Sequence, residues 1–136
     1  MRIFLDANIL FSASSTSNPT AHVIRLVMDR AAVVTCDYAQ AEAQKNIELK
    51  RPTWKDGFDA LFPAIDVLPT FAFALPVPLA EKDVPILGSA IRAGCKYLVT
   101  NDRRDFGHLY DQVVHGVRVI SLLRLTEILT DPDQDL

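Results

Sequence analysis

At 136 residues the chain has the length of one ordinary domain, and 49% hydrophobic against 23% charged residues exclude a disordered or fibrous protein. Seventeen acids against fourteen bases, a net charge of -3, exclude nucleic-acid binding by bulk charge alone, so any such role needs bound cations or a local basic patch. The longest apolar stretch, residues 71–79, is interrupted by Pro76 and Pro78 and is too short for a transmembrane helix.

The opening run Met1 to Leu5 reads as a short buried strand closing on Asp6. The run carries a single arginine, Arg2, and lacks the apolar core and small-residue cleavage site of a secretory signal, which places the expected location in the cytoplasm. After Asn8 to Phe11, the polar residues Ser12 to Thr20 predict a loop, because their side chains compete for backbone hydrogen bonds. Ala21, Ile24, Leu26, Val27 and Ala31 then recur near helical spacing, with Asn18 or Thr20 as the cap and Pro19 in the first turn. Val33 to Thr35 reads as a strand.

Asp37 is the expected cap of a helix from Tyr38 to about Leu49 that carries Glu42 and ends at Arg51-Pro52. Trp54 to Phe62 suggests a short helix and Ile65 to Leu68 a strand, followed by an irregular, proline-rich stretch. Order returns at Asp83, a natural cap with Pro85 in the first turn of a helix that stops at Gly94. Tyr97 to Val99 is a strand leading into Thr100, Asn101 and Asp102, with Asp105 a candidate cap for the short segment at Phe106. Val117 to Ile120 is the last strand, and Ser121 starts a helix through Leu129. Residues 1–130 are expected to form a single domain, with 131–136 a frayed acidic tail.

Strands alternating with helices predict an α/β fold with a parallel sheet flanked by helices. In such sheets ligands bind beyond the strands' carboxyl ends, where Asp6 and Asp102 stand. If their strands are neighbours, the two acids share an edge that the flanking helices can bring Glu42 and Asp83 to meet. Crowded carboxylates repel one another unless a cation neutralises them. Oxygen-only ligands favour hard ions, Mg2+ or Mn2+, which suit metal-assisted phosphodiester hydrolysis. Taken singly, Glu42 reads as an ordinary solvated helix charge and Asp83 as an ordinary cap, so the constellation carries the inference. Cys36 and Cys95 lie in no CxxC or Cys/His cluster and read as buried thiols rather than zinc ligands. His22, His108 and His115 lie in no motif that links them to a nucleophile.

These residues resemble the PIN-domain family, above all the VapC-like ribonuclease toxins of prokaryotic toxin–antitoxin pairs. The likeness is carried by Leu5 to Leu10, by Glu42 with Asn46-Ile47, by Asp83 to Leu87 with Ala90 and Gly94, and most specifically by Tyr97 to Phe106. It implies a PIN-like three-layer fold, with Asp6, Glu42, Asp83 and Asp102 as catalytic, metal-binding acids and Asp105 as a further ligand. Residue by residue, it also suggests Asn8 and Thr100 as groups that orient Asp6 or a metal-bound water. Arg103 and Arg104 lie beside that site and are candidates for substrate phosphates. A homodimer and a protein antitoxin are implied as partners. The residues 12–20 segment is longer than in the most compact toxins, and the stretch from Pro63 to Pro78 matches no motif of the family.

The resulting expectation is a Mg2+- or Mn2+-dependent endoribonuclease, the toxin of a toxin–antitoxin pair, acting on single-stranded or loop RNA. The alternatives are a PIN nuclease in RNA maturation or on structured DNA, and a catalytically silent RNA- or protein-binding module. A phosphoacceptor receiver domain ranks last, because it would want paired acids after the first strand and a lysine after a late one.

Overall fold

The computed structural model describes residues 1–133, so Gln134, Asp135 and Leu136 of the expected tail lie outside the described residues. Six strands form one sheet: β1 (Arg2–Leu5), β2 (Ala32–Cys36), β3 (Asp66–Leu68), β4 (Tyr97–Val99), β5 (Val113–Val114) and β6 (Val117–Ile120). Their order is β3-β2-β1-β4-β6-β5, parallel except for β5. Seven helices among the described residues flank it: α1 (Ala7–Ala13), α2 (Pro19–Met28), α3 (Asp37–Lys50), α4 (Lys55–Asp59), α5 (Val84–Arg92), α6 (Arg103–Phe106) and α7 (Leu122–Thr130).

The strand order decides where a ligand can sit. The chain moves outward from β1 to β2 to β3, then returns to the other side of β1 for β4, so the connection reverses between β1 and β4. Helices on the two sides of such a reversal leave a crevice at the strands' carboxyl ends. β1 and β4 are hydrogen-bonded neighbours, with Leu5 opposite Val99, and the Asp6 amide continues the ladder to the Val99 carbonyl at 3.1 Å. The residues just beyond both strands therefore face one crevice.

The core explains the strands. Ile3, Phe4, Leu5, Val34, Leu98, Val99 and Ile120 are wholly buried, the near-continuous apolar runs required when both faces of a parallel sheet are covered. Apolar residues of α1, α3, α5 and α7 join the same cluster. Two glycines set close approaches. A Cβ on Gly57 would stand 1.9 Å from the Ser14 carbonyl oxygen, and one on Gly88 2.5 Å from that of Phe71, so α4 can lie on the end of α1, and residues 71–72 on α5, only without a side chain there.

Several expectations change. Ser12 and Ala13 belong to α1 and Pro19 and Thr20 to α2, which shortens the loop to 14–18. Helix wins there because Ile9, Leu10 and Ala13 are buried, and the nearby Ser14 hydroxyl donates back to the Leu10 carbonyl at 2.7 Å instead of breaking the turn. Asn18, not Thr20, caps α2, accepting from the Thr20 amide at 2.9 Å. Asp37 is the first residue of α3, not its cap. Its carboxylate instead accepts from the amide and hydroxyl of Thr70, tying the proline-rich strap to α3, and the Thr70 hydroxyl holds its pKa below the usual carboxylate range. The β5–β6 hairpin was not foreseen. His115 and Gly116 both have positive φ, 46° and 85°, the two-residue turn that matches hairpin twist.

Candidate metal centre and its cleft

Each acid reaches the crevice by a different device. Asp6 caps α1 at the end of β1 and is buried. One carboxylate oxygen accepts from the Ala7 amide at 2.7 Å. The other accepts from the Thr100 hydroxyl at 2.8 Å and the Asn8 side-chain amide at 3.1 Å. Burial is the main reason its pKa rises from 3.8 to about 6, opposed by the Thr100 and Ala7 hydrogen bonds and reinforced by the charges of Glu42 and Asp102.

Thr100 and Asn8 form the brace between the two strand ends. The Asn8 amide nitrogen also donates to the Thr100 hydroxyl at 3.2 Å, while its carbonyl oxygen accepts from the Asn101 amide at 2.9 Å. The Thr100 hydroxyl accepts from the Asp102 amide at 3.2 Å, and its own carbonyl is held by the Tyr110 hydroxyl at 2.8 Å. On the other side of β1, the buried Thr35 hydroxyl donates to the Leu5 carbonyl at 2.8 Å. Polar groups at the strand ends are thus paired without water, as burial demands.

Asp102, not Asp105, caps α6, accepting from the Asp105 amide at 3.1 Å. Asp105 instead pairs with Lys82 at 3.0 Å, and the Lys82 hydrogen bond holds its pKa below the usual range. Asp83 occupies the residue before α5 but makes no capping hydrogen bond. It is buried, and its Oδ2 has no hydrogen-bond partner. Burial first, then the neighbouring Asp105 and the charge of Asp6, raise its pKa from 3.8 to about 7.

Carboxylate oxygens of Asp83, Asp102 and Asp105 lie within 4.8 Å of one another, a spacing that one cation can bridge. Asp6 and Glu42 stand outside that trio but line the same cleft, about 320 Å³, together with Asp83 and Asp102. Glu42 reaches it from the exposed surface of α3. Arg103 and Arg104 are both exposed. Arg103 borders an adjoining depression that shares Asn101 with the cleft.

The cleft also holds residues that sequence reading passed over as functional candidates: Lys50 and Lys82, with Asn46 and Phe11. Glu42, Asn46 and Lys50 follow one another at i, i+4 and i+8 on α3, a single row along a helix. That spacing was the available signal for Lys50. Lys82 had only its position beside Asp83 to mark it.

No known family's sequence profile and no curated protein matches the chain. Among solved structures, it is similar to VapBC2 from Rickettsia felis bound to a promoter DNA fragment, at TM-score 0.65 and 15% identity over 89% of this chain and 98% of that one. It is also similar to VapC20 of Mycobacterium tuberculosis, described as a Sarcin-Ricin loop cleaving toxin, at TM-score 0.58 and 11% identity over 82% of this chain and 98% of that one. The chain has the PIN-like α/β fold of these VapC structures.

Proposed function

We propose that the protein is a metal-dependent endoribonuclease, the toxin of a toxin–antitoxin pair, hydrolysing RNA phosphodiester bonds with Mg2+ or Mn2+. The observation that carries this reading is the carboxylate of Asp83, which has an oxygen within 4.8 Å of Asp102 and Asp105 and a buried Oδ2 without a hydrogen-bond partner. A buried polar atom without a partner is costly, and three carboxylates around it repel one another. An all-oxygen set of this kind suits a hard divalent cation that removes both penalties. The pKa of Asp83, near 7 without a cation, has the same meaning: the carboxylate is held in a place where negative charge is unwelcome until something positive arrives.

Asp83, Asp102 and Asp105 would hold the ion, with Asp6 and Glu42 completing the acidic wall of the cleft. When bound, such an ion offsets the charge of an incoming phosphate and acidifies a water molecule for in-line attack. The chain's own contribution is orientation. Thr100 and Asn8 fix the Asp6 carboxylate against rotation, and Asp102 is fixed by its cap to Asp105. Lys82 neutralises part of the charge of Asp105, and Arg103, on the adjoining depression, and Arg104, both exposed, are the proposed contacts for flanking phosphates.

The toxin assignment is supported by the fold shared with VapBC2 and VapC20. By the sequence's resemblance to the VapC-like toxins we extend the proposal to an antitoxin partner, a homodimeric state and a cytoplasmic location. No helix among the described residues is long and apolar enough to cross a membrane.

The test is cleavage of a mixed RNA panel by wild type and Asp6→Asn, with Mg2+ or Mn2+ and with chelator. Metal-dependent cleavage lost in the folded variant is the expected result. A wild type that leaves every RNA intact with either ion, yet binds RNA or a protein equally well with Asp6→Asn, would replace the nuclease by a binding module.

A further inference from the structure

The cleft is not lined by acids alone. Along its α3 wall the lining changes character, from Glu42 to Asn46 to Lys50, with Phe11 of α1 beside them. At 1.5 Å per residue these eight positions span about 12 Å, room for more than the reacting phosphate. Lys50 makes no ion pair among the described residues, whereas the other lysine of the cleft, Lys82, is engaged with Asp105. Phe11 is half-buried and packs against Trp54, ring centroids 5.2 Å apart and tilted by 49°. The Arg51 guanidinium lies over the Trp54 ring at 5.6 Å from its centroid. Trp54 thus contacts both the Arg51 guanidinium and Phe11, and Phe11 lines the cleft.

We infer that this end of the cleft is a nucleotide subsite, in which Phe11 stacks an unpaired base flanking the scissile phosphate and Lys50, with Asn46, holds that nucleotide's phosphate. The inference rests on the ribonuclease reading and assigns residues of this chain to the nucleotide beside the scissile bond. The chemistry is the pair of contacts that single strands use: an aromatic face that accepts any base and a cation that follows the backbone. A base still in a duplex is stacked on its neighbours and offers no free face to Phe11. The row on α3 also resolves a conflict of charge, since a polyanion entering an acidic cleft needs a positive group set apart from the catalytic acids.

The chain contains a single tryptophan, and it is Trp54, in contact with Phe11. Base stacking on Phe11 therefore has a built-in reporter. The experiment titrates the protein with single-stranded RNA hexamers in calcium, following Trp54 emission, using an intact hexamer and a set each lacking one base. The same hexamers are assayed for cleavage in Mg2+. A change in emission that disappears when one particular base is missing, with binding weakened about tenfold, is the expected result.

Lys50→Ala, a change at an exposed helix position, should weaken every hexamer alike and flatten the salt dependence of log K by roughly 0.7, the loss of one phosphate contact. Phe11→Leu should raise KM about tenfold with little change in kcat, its fold checked by circular dichroism. If Phe11→Leu fails to fold, the missing-base series on wild type and Lys50→Ala decide the matter.

Cleavage by wild type with unchanged Trp54 emission, no sensitivity to any missing base and a wild-type KM in Lys50→Ala would overturn the subsite and leave the nuclease standing. Base-dependent quenching without cleavage would do the reverse. Failure of wild type to bind any hexamer overturns the subsite outright.

Discussion

The junction of β1 with α1 and the junction that opens α5 each bury an aspartate at the start of a helix, and they treat it in opposite ways. Asp6 is met by three donors, the Ala7 amide, the Thr100 hydroxyl and the Asn8 amide. Asp83 makes no capping bond, and its Oδ2 has no partner. Both carboxyls are pushed upward by burial, to about 6 and about 7. A donor set prepared in advance fixes a carboxylate's orientation, and its absence leaves an oxygen for a ligand that is not part of the chain. One junction is built as a brace, the other as a socket.

The largest expected effect treats the two acids alike, and the next measurement separates them. Asp6→Asn and Asp83→Asn should each lower RNA cleavage by roughly 10²–10³, the loss typical of removing a preorganised electrostatic group. Their metal-free stabilities should diverge. An amide at position 6 turns a donor toward donors or abandons one of them, costing about 1–3 kcal/mol. At position 83 it removes a charge from a crowded acidic site, so urea denaturation should show no loss, or a gain. Equal destabilisation by both would erase the distinction between brace and socket.

Thr100→Val probes the brace alone. It removes the donor to Asp6 and the acceptor for the Asn8 and Asp102 amides. We expect activity to fall about 10- to 100-fold, as when groups that orient metal ligands are lost, with the loss recovered by Thr100→Ser.

Titration probes both junctions together. Because the folded-state pKa values of Asp6 and Asp83 lie above the ordinary 3.8, the native protein binds more protons than the unfolded chain between about pH 4 and pH 7. Stability without metal should therefore decrease as pH rises through that interval and then level off. Asp37 and Asp105, shifted downward, act in the opposite sense and only below about pH 4. Melting in chelator at pH 5 and pH 7.5, then with Mg2+, should show the cation raising Tm more at the higher pH.

The smallest effect is expected at Lys82, an exposed partner of Asp105. Lys82→Ala should change the unfolding free energy by less than about 1 kcal/mol, read in the same denaturation experiment. A larger loss would mean that Lys82 holds the socket together when no cation does.

The elements that deliver the brace were legible in the sequence because each has a plain local signal. β1 and β4 are short apolar runs that stop at polar residues, and Asp6, Thr100 and Asp102 come directly after them. The socket was legible only in part. Asp83 before Pro85 has the pattern of a helix cap, and pattern alone does not show that its carboxylate turns away from the helix toward Asp105. Lys50 looks like an ordinary solvated helix end, since its place in the cleft depends on α1 packing against α3. The β5–β6 hairpin escaped notice because two valines and a His115-Gly116 turn carry too little periodicity to stand out. Local propensity at Ser12 and Ala13 favours loop, whereas burial of Ala13 decides for helix.

The brace joins residues far apart along the chain: Asp6 and Thr100 are 94 positions from one another, and the Thr100 amide is held in turn by the Ile120 carbonyl of β6 at 2.9 Å. Contacts of such long range form late, since their loops must close before the bonds repay that entropy. During synthesis, at roughly 5–20 residues per second, β1 and β2 can pair well before β4 has been made. The acidic cleft comes together only when the last third of the chain is available. A product truncated or stalled before β4 therefore carries half a sheet with Asp6 and Glu42 but lacks Asp102 and Asp105, two of the three clustered carboxylates, so loss of reading frame anywhere in that stretch yields a chain without the acidic cluster.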